Sequence, residues 1–152
     1  MQYPKPQELQ SLNPRDYKNI VIVCGTRYYN DRAYFHEKIL DYLEEFEGPV
    51  LFVSGDASTG ADYLIIRWCL KFKYPCLKMP ANWDNEGKAA GFLRNIRMAK
   101  VATHVLAFYD GDSSGTKHML EQADEHKLHE KIYIIKVDSN GTTDNKKAVP
   151  SV

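Results

Sequence analysis

The sequence predicts an α/β fold: one Rossmann-like, doubly wound parallel sheet of about five strands with helices on both faces. Three observations predict it. Short apolar runs alternate with longer segments of helical period along most of the chain. No hairpin dipeptide joins any two of the runs, so each pair needs a crossover. The run at 19–24, Asn-Ile-Val-Ile-Val-Cys, is apolar without interruption after its first residue, as a central strand covered on both faces must be. Right-handed crossovers then give parallel pairing, and strand order 3-2-1-4-5 is the commonest solution.

Residues 1–18 carry Pro4, Pro6 and Pro14 with Leu9 and Leu12 between them, the pattern of an N-terminal arm with at most a helical turn. After strand one the chain turns at Gly25-Thr26-Arg27, and Asp31 is placed to cap a helix reaching about residue 46, where Gly48-Pro49 stops it. Strand two is 50–53. A helix over 61–72 follows, with Leu64, Ile65, Trp68 and Cys69 on one stripe. Strand three, 75–79, is less apolar and belongs nearer an edge. A loop through Pro80-Ala81-Asn82-Trp83 and Gly87 leads to a helix over 88–101. On that helix Ala89, Phe92, Leu93, Ile96 and Ala99 form the expected buried stripe, which puts Arg94 on the far side and Arg97 on its flank. Strand four is 103–109, helix four 116–128 and strand five 131–137. The domain is thus expected over 19–138, followed by a disordered tail over 139–152, which is polar with almost no apolar content.

A chain of 152 residues suits one domain and buries enough surface to need no disulfide framework. Cys24, Cys69 and Cys76 are odd in number, lack Cys-x-x-Cys spacing and sit in apolar runs, so buried free thiols in a reducing, cytoplasmic setting are expected. No apolar run approaches membrane-spanning length and no basic-then-apolar leader is present, which speaks against a membrane partner and against export. Twenty basic and twenty acidic residues cancel, which makes nucleic acid an unpromising partner. Charge is nevertheless concentrated locally. Lys88, Arg94, Arg97 and Lys100 fall within 88–101, where there is no acid, and such a stretch can hold a small anion.

In a doubly wound sheet ligands bind outside the carboxyl ends of the strands, where the winding reverses. Three glycine-bearing loops leave from that edge, at Gly25, at Ser54 and at Asp110. The third is the most suggestive. Tyr109-Asp110-Gly111 ends a strand, and Ser114-Gly115-Thr116 opens a helix, so unpaired backbone N–H groups and the positive helix end face the turn. As turn chemistry alone, Asp110-Gly111 would be a β-turn and Ser114 or Thr116 an N-cap. Thr26 and Arg27 can offer a hydroxyl and a cationic fork to phosphate. Tyr28 or Tyr29 can stack a base, one of them packing on the first helix instead. Gly55 and Gly60 bracket the hydroxyl-rich loop Ser54-Gly55-Asp56-Ala57-Ser58-Thr59-Gly60-Ala61-Asp62. It is no Walker A, since Ala61-Asp62 stand where Lys-Ser/Thr is required, and no Gly-x-Gly-x-x-Gly occurs. Asp56 suits a ribose hydroxyl better than phosphate, and Asp62 is either a ligand contact or a helix-dipole residue.

Gly111-Asp112-Ser113-Ser114-Gly115 also matches Gly-x-Ser-x-Gly, with His126 or His129 downstream as triad partners. The chain is short for an α/β-hydrolase, so this is a minor alternative. His126 and His129 read more simply as a solvated helix end than as metal ligands, and neither metal nor cofactor is expected.

Taken as an ordered set, Gly25-Thr26-Arg27, the loop 54–62, Pro80-Ala81-Asn82-Trp83, Gly87-Lys88-Ala89-Ala90-Gly91 with Arg94-Asn95 and Met98, and Ala107-Phe108-Tyr109-Asp110-Gly111 with Ser114-Gly115-Thr116 resemble the YspA-like branch of the SLOG superfamily. That superfamily includes the LOG phosphoribohydrolases and the DprA/Smf proteins. The resemblance spans about residues 20–137. It implies a Rossmann-like fold that binds a nucleotide or an ADP-ribose-like small molecule, in a branch carried by phages as well as bacteria. Phosphates would lie on the Gly25, Gly55 to Gly60 and Gly115 loops, with Arg27 and Arg94 neutralising charge and Tyr28, Trp83 or Tyr109 stacking the base. In LOG enzymes an Arg matched by Arg94 works with a Glu three residues after the last Gly-Thr. That position is Met119 here, and a thioether can neither donate a proton nor stabilise a cation by charge. Glu121 lies two residues on, facing another side of the helix.

The expectation is therefore a sensor or sequestering protein for such a nucleotide, countering an immune signal if the chain is phage-encoded. A phosphoribohydrolase using Arg94 and another carboxylate is the alternative, single-stranded DNA binding is a weaker one, and a homo-oligomer is compatible with either.

Overall fold

The computed structural model describes residues 12–128 and 131–138. Five strands and four long helices alternate: β1 (Asn19–Gly25), α1 (Arg32–Leu43), β2 (Val50–Ser54), α2 (Gly60–Phe72), β3 (Cys76–Lys78), α3 (Ala90–Val101), β4 (His104–Tyr109), α4 (Ser114–Glu125) and β5 (Ile132–Lys136). Every strand pair is parallel, and the order is β3-β2-β1-β4-β5. The predicted doubly wound sheet is present, with short β3 on an edge.

Period-two alternation divides the core into two layers. Val21, Val23, Phe52, Leu106 and Phe108 point to one face, where Phe35 and Ile39 of α1 and Leu64, Ile65 and Trp68 of α2 cover them. Ile20, Ile22, Leu51, Val53, Val105 and Ala107 point to the other, under Met98 and Ala99 of α3 and Met119 and Ala123 of α4. Because β1 is buried on both faces, its sequence has no polar alternate, which explains the uninterrupted apolar run. Cys24, Cys69 and Cys76 are free and buried.

Helix ends depart from expectation by a turn or less, each for a local reason. α1 is capped by Asp31, whose carboxylate accepts the Tyr34 N–H, but it ends at Leu43 because Glu44, Glu45 and Phe46 tighten to bonds three residues back. α4 begins at Ser114 with Ser113 as N-cap, in place of Ser114 or Thr116. It ends at Glu125 because Lys127 adopts a left-handed φ of 66° and Leu128 bonds back to Ala123. The loop expected through Trp83 and Gly87 contains a helical turn (Trp83–Glu86), and residues 88–89, expected to open the third long helix, belong to a 3-10 turn (Gly87–Ala89).

The buried stripe of α3 also differs. Ala90, Asn95, Met98 and Ala99 are buried, whereas Phe92 is 49% exposed and Leu93 37%. The helix is rotated so that Arg94 and Asn95 face the strand ends, and Arg94 does not lie on the far side. Apolar period alone ranked Phe92 above Asn95 for burial; the hydrogen bonds of Asn95 reverse that order.

In the arm, Pro14–Asp16 form a 3-10 turn capped by Asn13, and Leu12 and Tyr17 pack on the second layer. The remainder of the arm over 1–11, His129 and the predicted tail over 139–152 lie outside the described residues. No helix among the described residues is long and apolar enough to cross a membrane.

Phe108 is fully buried, with Tyr29 stacked on it at 5.3 Å between centroids and Phe35 at 4.8 Å. Phe108→Ala is expected to cost about 3–5 kcal/mol, whereas Phe92→Ala, at a ring that is 49% exposed, is expected to cost about 1 kcal/mol. Urea unfolding of the two variants checks the contrast.

Candidate functional site

The turns after β1, β2 and β4 meet at the carboxyl edge of the sheet because specific contacts tie them together. Gly25 ends β1 where a Cβ would collide with the Phe108 carbonyl oxygen and stand 3.0 Å from the Phe108 Cβ. That approach lets the Thr26 N–H reach the same carbonyl at 2.8 Å. The buried Thr26 hydroxyl oxygen then accepts the Asp110 N–H at 3.0 Å and lies 3.3 Å from the Ser113 hydroxyl, joining the β1 turn to the β4 turn. Gly60 has φ +74°, and a Cβ there would lie 2.7 Å from the Thr26 carbonyl oxygen and 2.8 Å from that of Arg27. Only glycine allows the start of α2 to come this close.

The β2 turn is folded by Ser54, which is fully buried; its hydroxyl donates to the Asp62 carbonyl at 2.9 Å and accepts the Asp56 N–H at 3.0 Å. Asp56 takes φ 62°. The Arg94 Nη1 donates to the Gly55 carbonyl and its Nε to the Asn95 Oδ1 at 3.0 Å. Asn95 in turn donates to the Gly115 carbonyl at 3.2 Å and has its Nδ2 3.1 Å from His118 Nδ1. Two consecutive residues of α3 therefore bridge the β2 turn and the start of α4.

Between these turns lies a cleft of about 520 Å³. Arg27, Lys88 and Arg94 bring positive charge to its lining, and Asp62 is the one acidic residue lining it among those described. Trp83 and Phe92, both about half exposed, stand at its side, and the Trp83 ring lies over Gly91. Ser114, Gly115 and Thr116 form part of the wall. The helices that open onto the cleft lack side-chain caps. Neither Thr59 before α2 nor Ser113 before α4 makes a side-chain cap bond, whereas α1 is capped by Asp31. The Ser113 hydroxyl donates to the Asp110 carboxylate at 3.0 Å instead. Both starts consequently keep N–H groups without a capping oxygen, and both present the positive helix end.

Burial pushes the Asp62 carboxyl up from 3.8 to about 6; the Arg94 charge and the Ala57 N–H, at 3.3 Å from Oδ2, pull it down, and Asp56 raises it further. Burial also pushes the Cys24 thiol far up, with Asp62 adding to it, so this wall residue is no thiolate nucleophile. Partial burial also acts to raise the Asp110 carboxyl. The N–H groups of Asp112 and Ser113 and the hydroxyls of Ser113 and Thr26 nevertheless hold its carboxyl below the ordinary range.

Of the sequence candidates, Gly25, Arg27, Thr59, Asp62, Trp83, Arg94, Asn95, Ser114, Gly115 and Thr116 line the cleft. Thr26, Ser54, Gly55, Asp56 and Gly60 shape the turns behind it. Asp110, expected to meet ligand, is engaged in folding its own turn, and Gly111 turns the chain at φ +87° away from the lining. Tyr28 is 62% exposed and Tyr109 half-buried outside the lining, so neither forms part of the cleft wall; Tyr29 packs on Phe108. Glu121 is exposed and outside the lining. Lys88 and Phe92 are cleft residues that the candidate set missed. The acid-free run 88–101 is the signal for Lys88, and apolar spacing alone puts Phe92 in the core.

The hydrolase alternative is not supported by the geometry. Ser113 is bonded to Asp110 and Thr26, with no histidine among its hydrogen-bond partners. His126 sits at the other end of α4, about 20 Å away along the helix, where its Nδ1 lies 2.9 Å from the Gln122 carbonyl.

No protein-family model matches the chain, and no solved structure matches it. It is 33% identical over 109 residues to the Gene 61 protein of Mycobacterium phage D29, an alignment covering 68% of this chain and 86% of that protein.

The Asp62 carboxyl makes stability depend on pH. A carboxyl raised in the folded state means that folding takes up a proton, so its contribution favours folding most below pH 4 and falls as pH rises to about 6. Asp62→Asn is expected to remove this slope and to gain on the order of 2 kcal/mol over wild type at pH 7 relative to pH 4. Urea unfolding at the two pH values checks it.

Proposed function

From a chain that belongs to the family of the phage D29 Gene 61 protein, we propose a protein that binds a nucleotide or nucleotide-derived, ADP-ribose-like small molecule in the cleft between the β1, β2 and β4 turns. The observation that carries this reading is the pair of helix starts without side-chain caps beside three cations. Phosphate oxygens would complete the free N–H groups and be neutralised by Arg27, Lys88 and Arg94. A base would lie against Trp83 and Phe92, whose exposed rings offer a flat apolar surface. Asp62 would accept a ribose hydroxyl, a role that suits a carboxyl less exposed than Arg27 and Lys88. The resemblance to the YspA-like SLOG proteins supports the same ligand class. Sensing or sequestering such a nucleotide is the role we assign, and the phage source of the relative fits sequestration of a host signal.

One observation favours a second reading, N-glycosidic cleavage. Met119 lines the cleft where a LOG enzyme has its carboxylate, but Asp62 lines it too, close to Arg94. A carboxyl near 6 is protonated often enough to act as a general acid. In this reading Asp62, rather than exposed Glu121, would be the carboxylate.

Calorimetric titration with AMP, ADP and ADP-ribose is expected to show binding that Arg94→Ala weakens about ten- to a hundredfold. Affinity should rise as pH falls through about 6, because protonation removes the one negative charge from the cleft that takes the anionic ligand while the neutral carboxyl can still hydrogen-bond the ribose hydroxyl; Asp62→Asn should flatten that profile. Chromatography of the incubated nucleotide separates the two readings: intact ligand means binding, free base means cleavage. Absence of heat and of product with all three nucleotides would overturn both.

A further inference from the structure

A second cavity, of about 410 Å³, lies between α1 and α2, away from the nucleotide cleft. Trp68 and Phe72 form part of its floor, and Arg32, Arg67 and Lys71 surround it. Its described lining contains no carboxylate. His36 is fixed across it, its Nδ1 accepting the Trp68 Nε1–H at 2.9 Å, which leaves the ring proton on Nε2 as a donor. Phe72 is 40% exposed there, and Leu40, on the outer side of α1, is 46% exposed. An apolar floor with a cationic rim asks for a partner with apolar side chains among carboxylates.

The chain carries such a segment. Between residues 39 and 50 there are four acids, Asp41, Glu44, Glu45 and Glu47, and no base; all four are exposed, and they follow or flank Leu40. This distribution does not serve α1 itself. Beyond the capping Asp31, the first turn of α1 holds no acid and begins with Arg32, while its last turn holds no base and runs into the acidic segment. Charges so placed oppose the helix dipole, at about 0.3–1 kcal/mol each in an isolated helix. α2 shows the ordinary arrangement, with Asp62 in its first turn and Lys71 in its last. In an antiparallel pair of α1 helices the same charges become favourable. The basic end of one faces the acidic end of the other, the dipoles oppose, and the contact occurs twice about a twofold axis.

We propose that the α1–α2 face is the interface of a homodimer, in which the acidic segment of one copy, led by Leu40, seats in the basic groove of the other. With the axis near the middle of α1, Arg32 faces Glu44 of the second copy and Leu40 faces the His36 and Phe72 rings. Arg67 and Lys71 receive Glu45 and Glu47. The interface is separate from the nucleotide cleft, so the two stand or fall independently.

Sedimentation velocity of the full chain over a concentration series tests this. The wild type is expected to form a dimer that weakens by about tenfold or more on going to 1 M salt, because the rim contacts are exposed ion pairs. Arg67→Glu alone and Glu45→Lys alone should each shift the protein toward monomer, and the two changes combined in one chain should restore the dimer. Circular dichroism should report folded protein throughout, since both side chains are exposed. A wild type that stays monomeric at about 100 µM, well above the Kd of a specific interface, would overturn the proposal. So would a dimer that neither charge reversal moves, or single reversals that the combination does not rescue.

Discussion

The cleft exists because two adjacent side chains on α3 hold apart and hold together turns that the sheet cannot join. β2 and β4 are not neighbours, since β1 lies between them, so no ladder bond fixes the distance between their turns. Arg94 reaches the Gly55 carbonyl, and Asn95 reaches the Gly115 carbonyl, with the Arg94 Nε on the Asn95 Oδ1 between them. Each hydrogen bond contributes about 1 kcal/mol net, but the geometric consequence is larger. The bridge keeps the β2 turn and the start of α4 at a fixed separation, with the guanidinium at the β2 turn. Gly55 belongs to the same device, because a Cβ there would meet the Arg94 Nη1 at 2.5 Å and the Asp62 Oδ2 at 2.9 Å.

This bridge also explains why α3 violates its own pattern. Placing Phe92 and Leu93 toward solvent while Asn95 is 4% exposed runs against transfer free energies by a few kcal/mol. Asn95 tolerates burial because its oxygen and its amide nitrogen are both engaged. Part of the exposed aromatic surface is also used, since Phe92 packs on His118 at 4.3 Å between centroids and borders the cleft. Where a local rule is broken and the break is compensated by a polar network, the site rather than the core set the choice.

The sheet order and the convergence of turns were legible because both follow from period: five apolar runs without hairpins leave few right-handed solutions, and Gly25 and Gly60 mark the close approaches those solutions require. The rotation of α3 was not legible. Apolar spacing counts Ala89, Phe92, Leu93 and Ile96 as one face, and nothing in a linear pattern reports that Asn95 will find both its partners. Nor does sequence separate a polar residue that folds a turn from one that faces a ligand. Ser54 and Asp110 look like ligand contacts beside Thr59 and Ser114, and only the hydrogen bonds they make show that they are consumed internally. Asp62 had a recognisable place in the first turn of a helix, but its raised carboxyl depends on burial against the β2 turn, which spacing does not encode.

The helix caps carry the same logic into energetics. Ser113 stands in the N-cap position of α4, where a hydroxyl bonded to the helix would contribute about 1 kcal/mol, yet its hydroxyl turns to Asp110 and stiffens the β4 turn. Thr59 makes no side-chain cap bond to α2 either. On α1, which opens elsewhere, the cap is made. Bonded caps at the two starts facing the cleft would each contribute about 1 kcal/mol, which α2 and α4 forgo, as does α3, whose N-cap position holds Ala89. The rigidity needed to keep the cleft-facing N–H groups aligned comes from Thr26, Asp110 and the Arg94–Asn95 bridge. Turn folding and helix capping therefore compete for the same few oxygens, and at this edge turn folding wins.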